Sequence, residues 1–226
     1  MNIGQLFYPP LCIICRKSTR IKEQPFCLSC SLDLPVTDHF VNSKNAFVKH
    51  FWGRVPIQHG AALFDFRKEN VVQEMIHALK YRRKKDVGTL LGSFAGRRII
   101  ESELFQNFDL IIPVPISSIR LHQRGYNQSG VFAESVGKQI KVDVRQNLLV
   151  KTTDTGSQTS RSRQERMLNV ANTFKVRKMK SFDGKHILLV DDVITTGATL
   201  ESCASLLLKN GAKSISCLTI AIAKSY

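Results

Sequence analysis

No apolar stretch of this 226-residue chain approaches the roughly 18 residues that a membrane-crossing helix needs. Met1 to Pro10 also lacks a basic start followed by an apolar run, so no secretory leader is expected there. These two absences make a cytoplasmic location the default expectation. Acidic residues are few: 18 Asp and Glu stand against 33 Lys and Arg, a formal net charge of +15. Such a surface attracts polyanions, whether nucleic acid, phosphorylated metabolites or anionic lipid; it also keeps a protein solvated. No internal repeat is visible. The charged fraction of 23% argues against wholesale disorder, and the hydrophobic fraction of 43% suffices for one sizeable core with a small appended module.

Cysteine is sparse as well. Of six in the chain, four form two close pairs, Cys12-x-x-Cys15 and Cys27-x-x-Cys30, with eleven residues between the pairs. In a reducing compartment that spacing reads as a metal site and not as a disulfide framework. It predicts one zinc held tetrahedrally by Cys12, Cys15, Cys27 and Cys30. Four thiolates leave no open position for water, so the zinc would be structural. Pro9, Pro10, Pro25 and Pro35 punctuate this region, which is expected to hold little regular structure. We read residues 1–35 as the metal module, 36–56 as a connecting segment and 57–226 as the main domain. The remaining cysteines, Cys203 and Cys217, lie in apolar surroundings and are expected to be buried.

The main domain alternates strand and helix patterns. Residues 57–66 suggest a strand. Val71 to Leu79 suggests a helix with Val72, Met75, Ile76 and Leu79 on one face. A second helix is expected over Val87 to Ile100, a buried strand over Leu110 to Val114, and a helix over Gln128 to Gln139 with Val131, Phe132 and Val136 inward. Leu148 to Val150 suggests a short strand, His186 to Val190 a strand, Ala198 to Lys209 a helix and Ile215 to Ile222 a strand. This order predicts an α/β fold built on a mainly parallel sheet flanked by helices. Residues 152–164 contain no apolar side chain and read as a mobile loop.

One segment carries the clearest chemistry. An apolar strand, Ile187 to Val190, delivers Asp191 and Asp192. The turn Thr195-Thr196-Gly197-Ala198-Thr199 follows and opens a helix. Ligands of parallel sheets bind beyond the carboxyl ends of the strands. Backbone N–H groups at the helix start suit an anion, and the threonine hydroxyls add donors. Gly197 lets the backbone come close to a phosphate. The two acids would repel that phosphate; they suit a sugar diol or a hydrated magnesium ion beside it.

The string Val190-Asp191-Asp192-Val193-Ile194-Thr195-Thr196-Gly197-Ala198-Thr199 resembles the signature of type I phosphoribosyltransferases. The resemblance implies that Asp191 and Asp192 hold the ribose hydroxyls of phosphoribosyl diphosphate (PRPP). Thr195, Thr196, Gly197, Ala198 and Thr199 would then hold its 5′-phosphate. It also implies a pyrophosphate loop, for which Pro113-Val114-Pro115-Ile116 with Arg120, Arg124, Gly125 and Asn127 is the candidate. Arginine suits that role because its planar fork grips phosphate oxygens in pairs. A flexible lid is implied too, and Lys151 to Arg166 is placed for it, with Gln158, Arg161, Arg163 and Arg166 as its polar groups. Together with the CxxC pairs, Arg124-Gly125-Tyr126-Asn127-Gln128 and the Gln158…Arg166-x-x-Asn169-Val170 segment, the chain resembles the ComF family over nearly its whole length. That family implies a phosphoribosyltransferase fold with an amino-terminal zinc finger, PRPP with magnesium, and handling of single-stranded DNA during natural transformation.

The basic run Lys80, Arg82, Arg83, Lys84 and Lys85 either contacts nucleic acid or stabilises a helix end electrostatically; the ComF resemblance, through Lys80-Tyr81, also implies that Lys80 reaches pyrophosphate. Phe51 and Trp52, beside Lys49 and His50, suit either base stacking or linker packing. Three functions remain open on these residues. The chain is a phosphoribosyltransferase with an undefined acceptor, a non-catalytic phosphate, PRPP or single-stranded-DNA binding module, or an adaptor for a DNA-translocating helicase.

Overall fold

The computed structural model describes residues 11–19, 25–66, 71–81, 84–152, 173–177 and 182–223. Its centre is a four-stranded parallel sheet. From edge to edge this runs β1 (Gly60–Phe66), β6 (Ser214–Ala223), β5 (His186–Ile194) and β2 (Leu110–Pro113). β5 and β6 lie inside the sheet with both faces covered, which is why they read as nearly continuous apolar runs. Leu188 and Val190 of β5 enter one hydrophobic core, Ile187 and Leu189 the other. This is the two-residue period of a strand between two layers.

The first core packs helices α3 (Val71–Tyr81), α4 (Lys85–Ile100) and α6 (Gln128–Ile140) on the sheet. Val72, Met75, Ile76 and Leu79 are all buried, as the period of the sequence predicts. α4 and α6 approach closely because α4 places glycine where they cross. A Cβ at Gly92 would lie 2.5 Å from the Ser135 Cβ and 2.6 Å from the Phe132 carbonyl. The second core packs α7 (Ala198–Lys209) and α2 (Ala46–Lys49) on the opposite face, together with the antiparallel pair β3 (Leu149–Lys151) and β4 (Phe174–Val176).

The cysteine-bearing segment packs on the same body. Phe26 meets Phe64 and Phe94 edge-on, with ring centroids 5.9 and 5.7 Å apart. Val36 forms an antiparallel bridge with Phe64, and the Asn45 side chain donates to the Gly60 carbonyl at 2.9 Å. Cys203 and Cys217 are buried, as expected.

Five elements differ from the sequence reading. β5 continues four residues beyond Val190, because Val193 and Ile194 keep pairing with Ala221 and Ile222 of the long β6. Asp191 and Asp192 are therefore inside the strand and half-buried, not at a solvent-facing end. Ser118–Arg124 forms a short helix, α5, where a loop was expected; the Ser117 hydroxyl caps it by accepting from the Arg120 N–H, and left-handed Gly125 closes it. Short α1 (Leu28–Leu32) had no periodic signal, and neither did α2 or β4. Among the described residues, no helix is long and apolar enough to cross a membrane.

Candidate anion-binding site and cysteine cluster

Asp191 and Asp192 occupy the carboxyl-terminal half of β5, near the start of α6 and the end of α3. The Ser129 hydroxyl, from the first turn of α6, donates to Asp191 Oδ1 at 2.9 Å, and the Asp192 N–H donates to the same oxygen at 2.8 Å. Lys80, at the end of α3, places its Nζ 2.9 Å from Asp192 Oδ2. Burial pushes the Asp191 carboxyl up to about 7, and the neighbouring Asp192 charge adds to this; the Asp192 N–H, Ser129 and Lys80 oppose it. Near neutral pH the Asp191 carboxyl is thus part-protonated, while Lys80 stands against its neighbour. Such acceptors match two adjacent hydroxyls.

The turn beyond β5 is open above this pair. Thr195, Thr196 and Thr199 are exposed, Ala198 is half-buried and Gly197 is buried. Gly197 caps α7 with φ +78°, a left-handed conformation that L side chains rarely adopt. α7 is 12 residues long, so its macrodipole and first-turn N–H groups meet at this turn, where the Ala198 N–H makes a long contact with Thr196 Oγ1 at 3.4 Å. Arg54 holds the outer side of the turn: Nη1 donates to the Thr196 carbonyl at 2.9 Å and to the His50 carbonyl at 3.0 Å, and Nη2 pairs with Glu201.

The other candidate residues flank this centre. Arg120 is exposed on α5. Arg124 donates to Gln128 Oε1 at 2.9 Å and stacks over the Tyr81 ring at 5.4 Å. Asn127, two residues beyond Gly125, donates its amide to the Val114 carbonyl at 3.0 Å, while its buried Oδ1 has no partner among the described residues. The Tyr126 hydroxyl donates to the Leu79 carbonyl, which ties the segment after α5 to the end of α3. A cleft of about 520 Å³ opens beside these residues, lined among others by Lys85, Pro115, Ile116, Tyr126, Asn127 and Arg177. Lys85 lies over the Tyr126 ring at 5.1 Å, and Lys84 is half-buried. Lys80 stands apart from that basic run, turned to Asp192. Phe51 is buried, whereas Trp52 is 61% exposed. Arg82, Arg83, Gln158, Arg161, Arg163 and Arg166 lie outside the described residues.

Cys12, Cys15, Cys27 and Cys30 come together at the other end of the chain. Their four sulfurs all lie within 4.8 Å of one another, and Cys15 and Cys27 are 3.5 Å apart. A tetrahedral zinc with sulfur ligands at about 2.3 Å needs sulfur separations of about 3.8 Å, so the cluster fits that ion. The Arg16 N–H turns back to the Cys12 carbonyl at 3.0 Å, and the Cys12 N–H donates to the Lys17 carbonyl at 2.8 Å. Burial opposes ionisation of Cys12, but backbone N–H groups of Cys15, Cys27 and Ile14 outweigh it and bring the thiol down to about 6. Burial and the hydrogen bonds of Cys15, Cys27 and Cys12 push the Cys30 thiol up to about 12, so a bound zinc would have to draw that ligand to the thiolate.

Sequence reasoning placed the acids and the turn together but missed Ser129 and Arg54. Ser129 lies two residues after Asn127 at a helix start, a position that signals capping, not acid recognition. Arg54 lies in a patternless segment, and nothing local indicates that it reaches a loop 142 residues away.

A phosphoribosyl transferase domain model matches residues 97–225, more than half of the chain. The parallel sheet and its helices form a type I phosphoribosyltransferase-like α/β fold. The chain is 27% identical to the DNA utilization protein YhgH of Shigella flexneri over 91% of its length and 87% of that protein's. It is likewise 27% identical to Competence protein F of Haemophilus influenzae, with the same coverage. It is 32% identical to Competence protein ComFC of Bacillus subtilis over 49% of this chain and 43% of that one. The chain thus belongs to the phosphoribosyl transferase domain family and, with its amino-terminal four-cysteine cluster, to the ComF/YhgH family within it.

Proposed function

We propose that this chain binds PRPP with magnesium at the turn after β5 and acts on or alongside single-stranded DNA in the cytoplasm. One observation carries the first half: an acid pair and a Thr-Thr-Gly turn with exposed threonines meet at the carboxyl end of a central parallel strand, where a helix begins. Asp191 and Asp192 would accept from the ribose hydroxyls. Thr195, Thr196, Gly197, Ala198 and Thr199 would take the 5′-phosphate. Arg120, Arg124, Gly125 and Asn127 would face the diphosphate. Magnesium would ride on the diphosphate and water, because Lys80 already occupies Asp192 and a hard cation needs more oxygen ligands than the pair supplies.

The second half is supported by the +15 charge and by relatives whose names refer to DNA utilization and competence. If the chain turns PRPP over, positive charge develops at the ribose C1 as pyrophosphate departs, and the protein's work is positioning and charge stabilisation. The second reading is a PRPP or phosphate sensor that binds single-stranded DNA and serves a helicase without chemistry. The +15 charge supports it, because holding a polyanion needs no turnover. Pyrophosphate release from PRPP, measured with free bases and with single-stranded DNA, separates the two. Release with any acceptor establishes the transferase; PRPP binding without release leaves the sensor.

A further inference from the structure

From the contacts of Arg54 we infer that this residue, although far from the motif in sequence, is a positioning residue of the anion turn: it aims the Gly197 N–H and neutralises Glu201. The inference rests on the reading of that turn as an anion site.

Arg54 Nη1 takes the Thr196 carbonyl at 2.9 Å. No cis peptide occurs among the described residues, so the C=O of Thr196 and the N–H of Gly197 point in opposite directions across one planar unit. Holding the carbonyl outward turns the N–H inward, towards the mouth formed by Thr195, Thr196 and Ala198. Without Arg54 that peptide could rotate, and a carbonyl oxygen facing the mouth would repel a phosphate. The same arginine donates to the His50 carbonyl at 3.0 Å, which anchors it to the α2 segment. Phe51 of that segment closes the outer side of the turn. A Cβ on Gly197 would meet its ring at 3.3 Å.

The second task is electrostatic. Glu201 lies in the first turn of α7. A carboxylate there is favourable for the helix dipole, but it competes with any anion that arrives at the same end. Arg54 Nη2 pairs with it. The residues before β1 thus complete a turn that the motif alone leaves unsupported.

The test is an NMR titration of the full chain with inorganic phosphate and then with PRPP and magnesium, following the Gly197 and Ala198 amides. Wild type is compared with Arg54→Ala, Arg54→Lys and Arg54→Ala/Glu201→Gln. In wild type both amides should shift with ligand. Arg54→Ala should need about tenfold more ligand for the same shift. Arg54→Lys keeps a cation but not the fork, so it should fall between the two; it also serves if the alanine variant folds poorly. Adding Glu201→Gln to Arg54→Ala should recover part of the loss, which a purely structural role would not produce. Equal ligand response in wild type and both Arg54 variants overturns the inference alone. Wild-type amides indifferent to both ligands overturn the anion-site reading, and this inference with it.

Discussion

Lys80 Nζ stands 2.9 Å from Asp192 Oδ2, so the last turn of α3 supplies the counter-charge for an acid pair carried by β5, more than a hundred residues later. Breaking a part-buried pair leaves an uncompensated charge. Lys80→Ala is therefore expected to destabilise the protein by on the order of 1–3 kcal/mol at pH 8. The loss should shrink near pH 5, where Asp191 is protonated and the pair holds less charge. Denaturant melts of both proteins at the two pH values check this. An equal loss at both would mean that Lys80 acts by packing alone.

Asp191 predicts a second pH effect, of known sign. Its carboxyl is raised to about 7 in the fold, mainly by burial, against about 3.9 unfolded. The folded state therefore binds more protons than the unfolded state between those values. The contribution is fully present below about pH 4 and is lost as pH rises through about 7. Asp191→Asn removes the ionisable group and keeps an acceptor for Ser129. It should flatten this fall and raise the melting temperature at pH 8. About 1 kcal/mol corresponds to roughly 2–4 °C for a chain of this size. A variant that melts lower than wild type at pH 8 would contradict the account.

Metal is the third point. Fresh reduced protein should contain one equivalent of zinc, and Cys27→Ser with Cys30→Ser should lose it. Small zinc modules draw about 10–16 kcal/mol from the metal. Here Phe26, next to Cys27, is buried against Phe64 and Phe94, so metal loss should also loosen α4. Elemental analysis and thermal melts with and without a chelator are the measurements. Less than half an equivalent of zinc in wild type would remove the metal reading.

Much of this was legible in the sequence because it is local. The apolar run of β5, the 3.6-residue spacing of α3 and each cysteine pair lie within a dozen residues or so. The acid pair and its turn were legible for the same reason. Lys80 was legible as part of a basic run, but its direction was not, since that depends on where the end of α3 lands beside β5. The length of β5 was misread because Asp191 and Asp192 look like a strand terminus; pairing with β6 overrides that signal. Arg54 carries no local signature, and that of Ser129 points to helix capping. Their roles exist only once the chain has folded back.

Nucleic acid supplies the fourth prediction. Lys80 is occupied, so Arg82, Arg83, Lys84 and Lys85 are the residues of that run to test. Wild type should bind single-stranded DNA without strong sequence preference, and log K should fall with log salt by about 0.7 per neutralised phosphate. Alanine at those four positions should weaken all sequences alike and flatten the slope. Anisotropy of a labelled oligonucleotide, with and without PRPP, reads both, and competition by PRPP would place the DNA at the anion turn. No binding at about 50 mM salt would remove the nucleic-acid half of the proposal.

The central claim is that the turn after β5 with its acid pair is the PRPP site. Calorimetric titration of PRPP with magnesium into wild type and into Asp191→Ala/Asp192→Ala tests it most directly. Each lost charge-assisted contact is worth about 1.5–3 kcal/mol, so the double variant should show no measurable binding while its melting transition persists. Equal PRPP affinity in the two proteins would contradict the account.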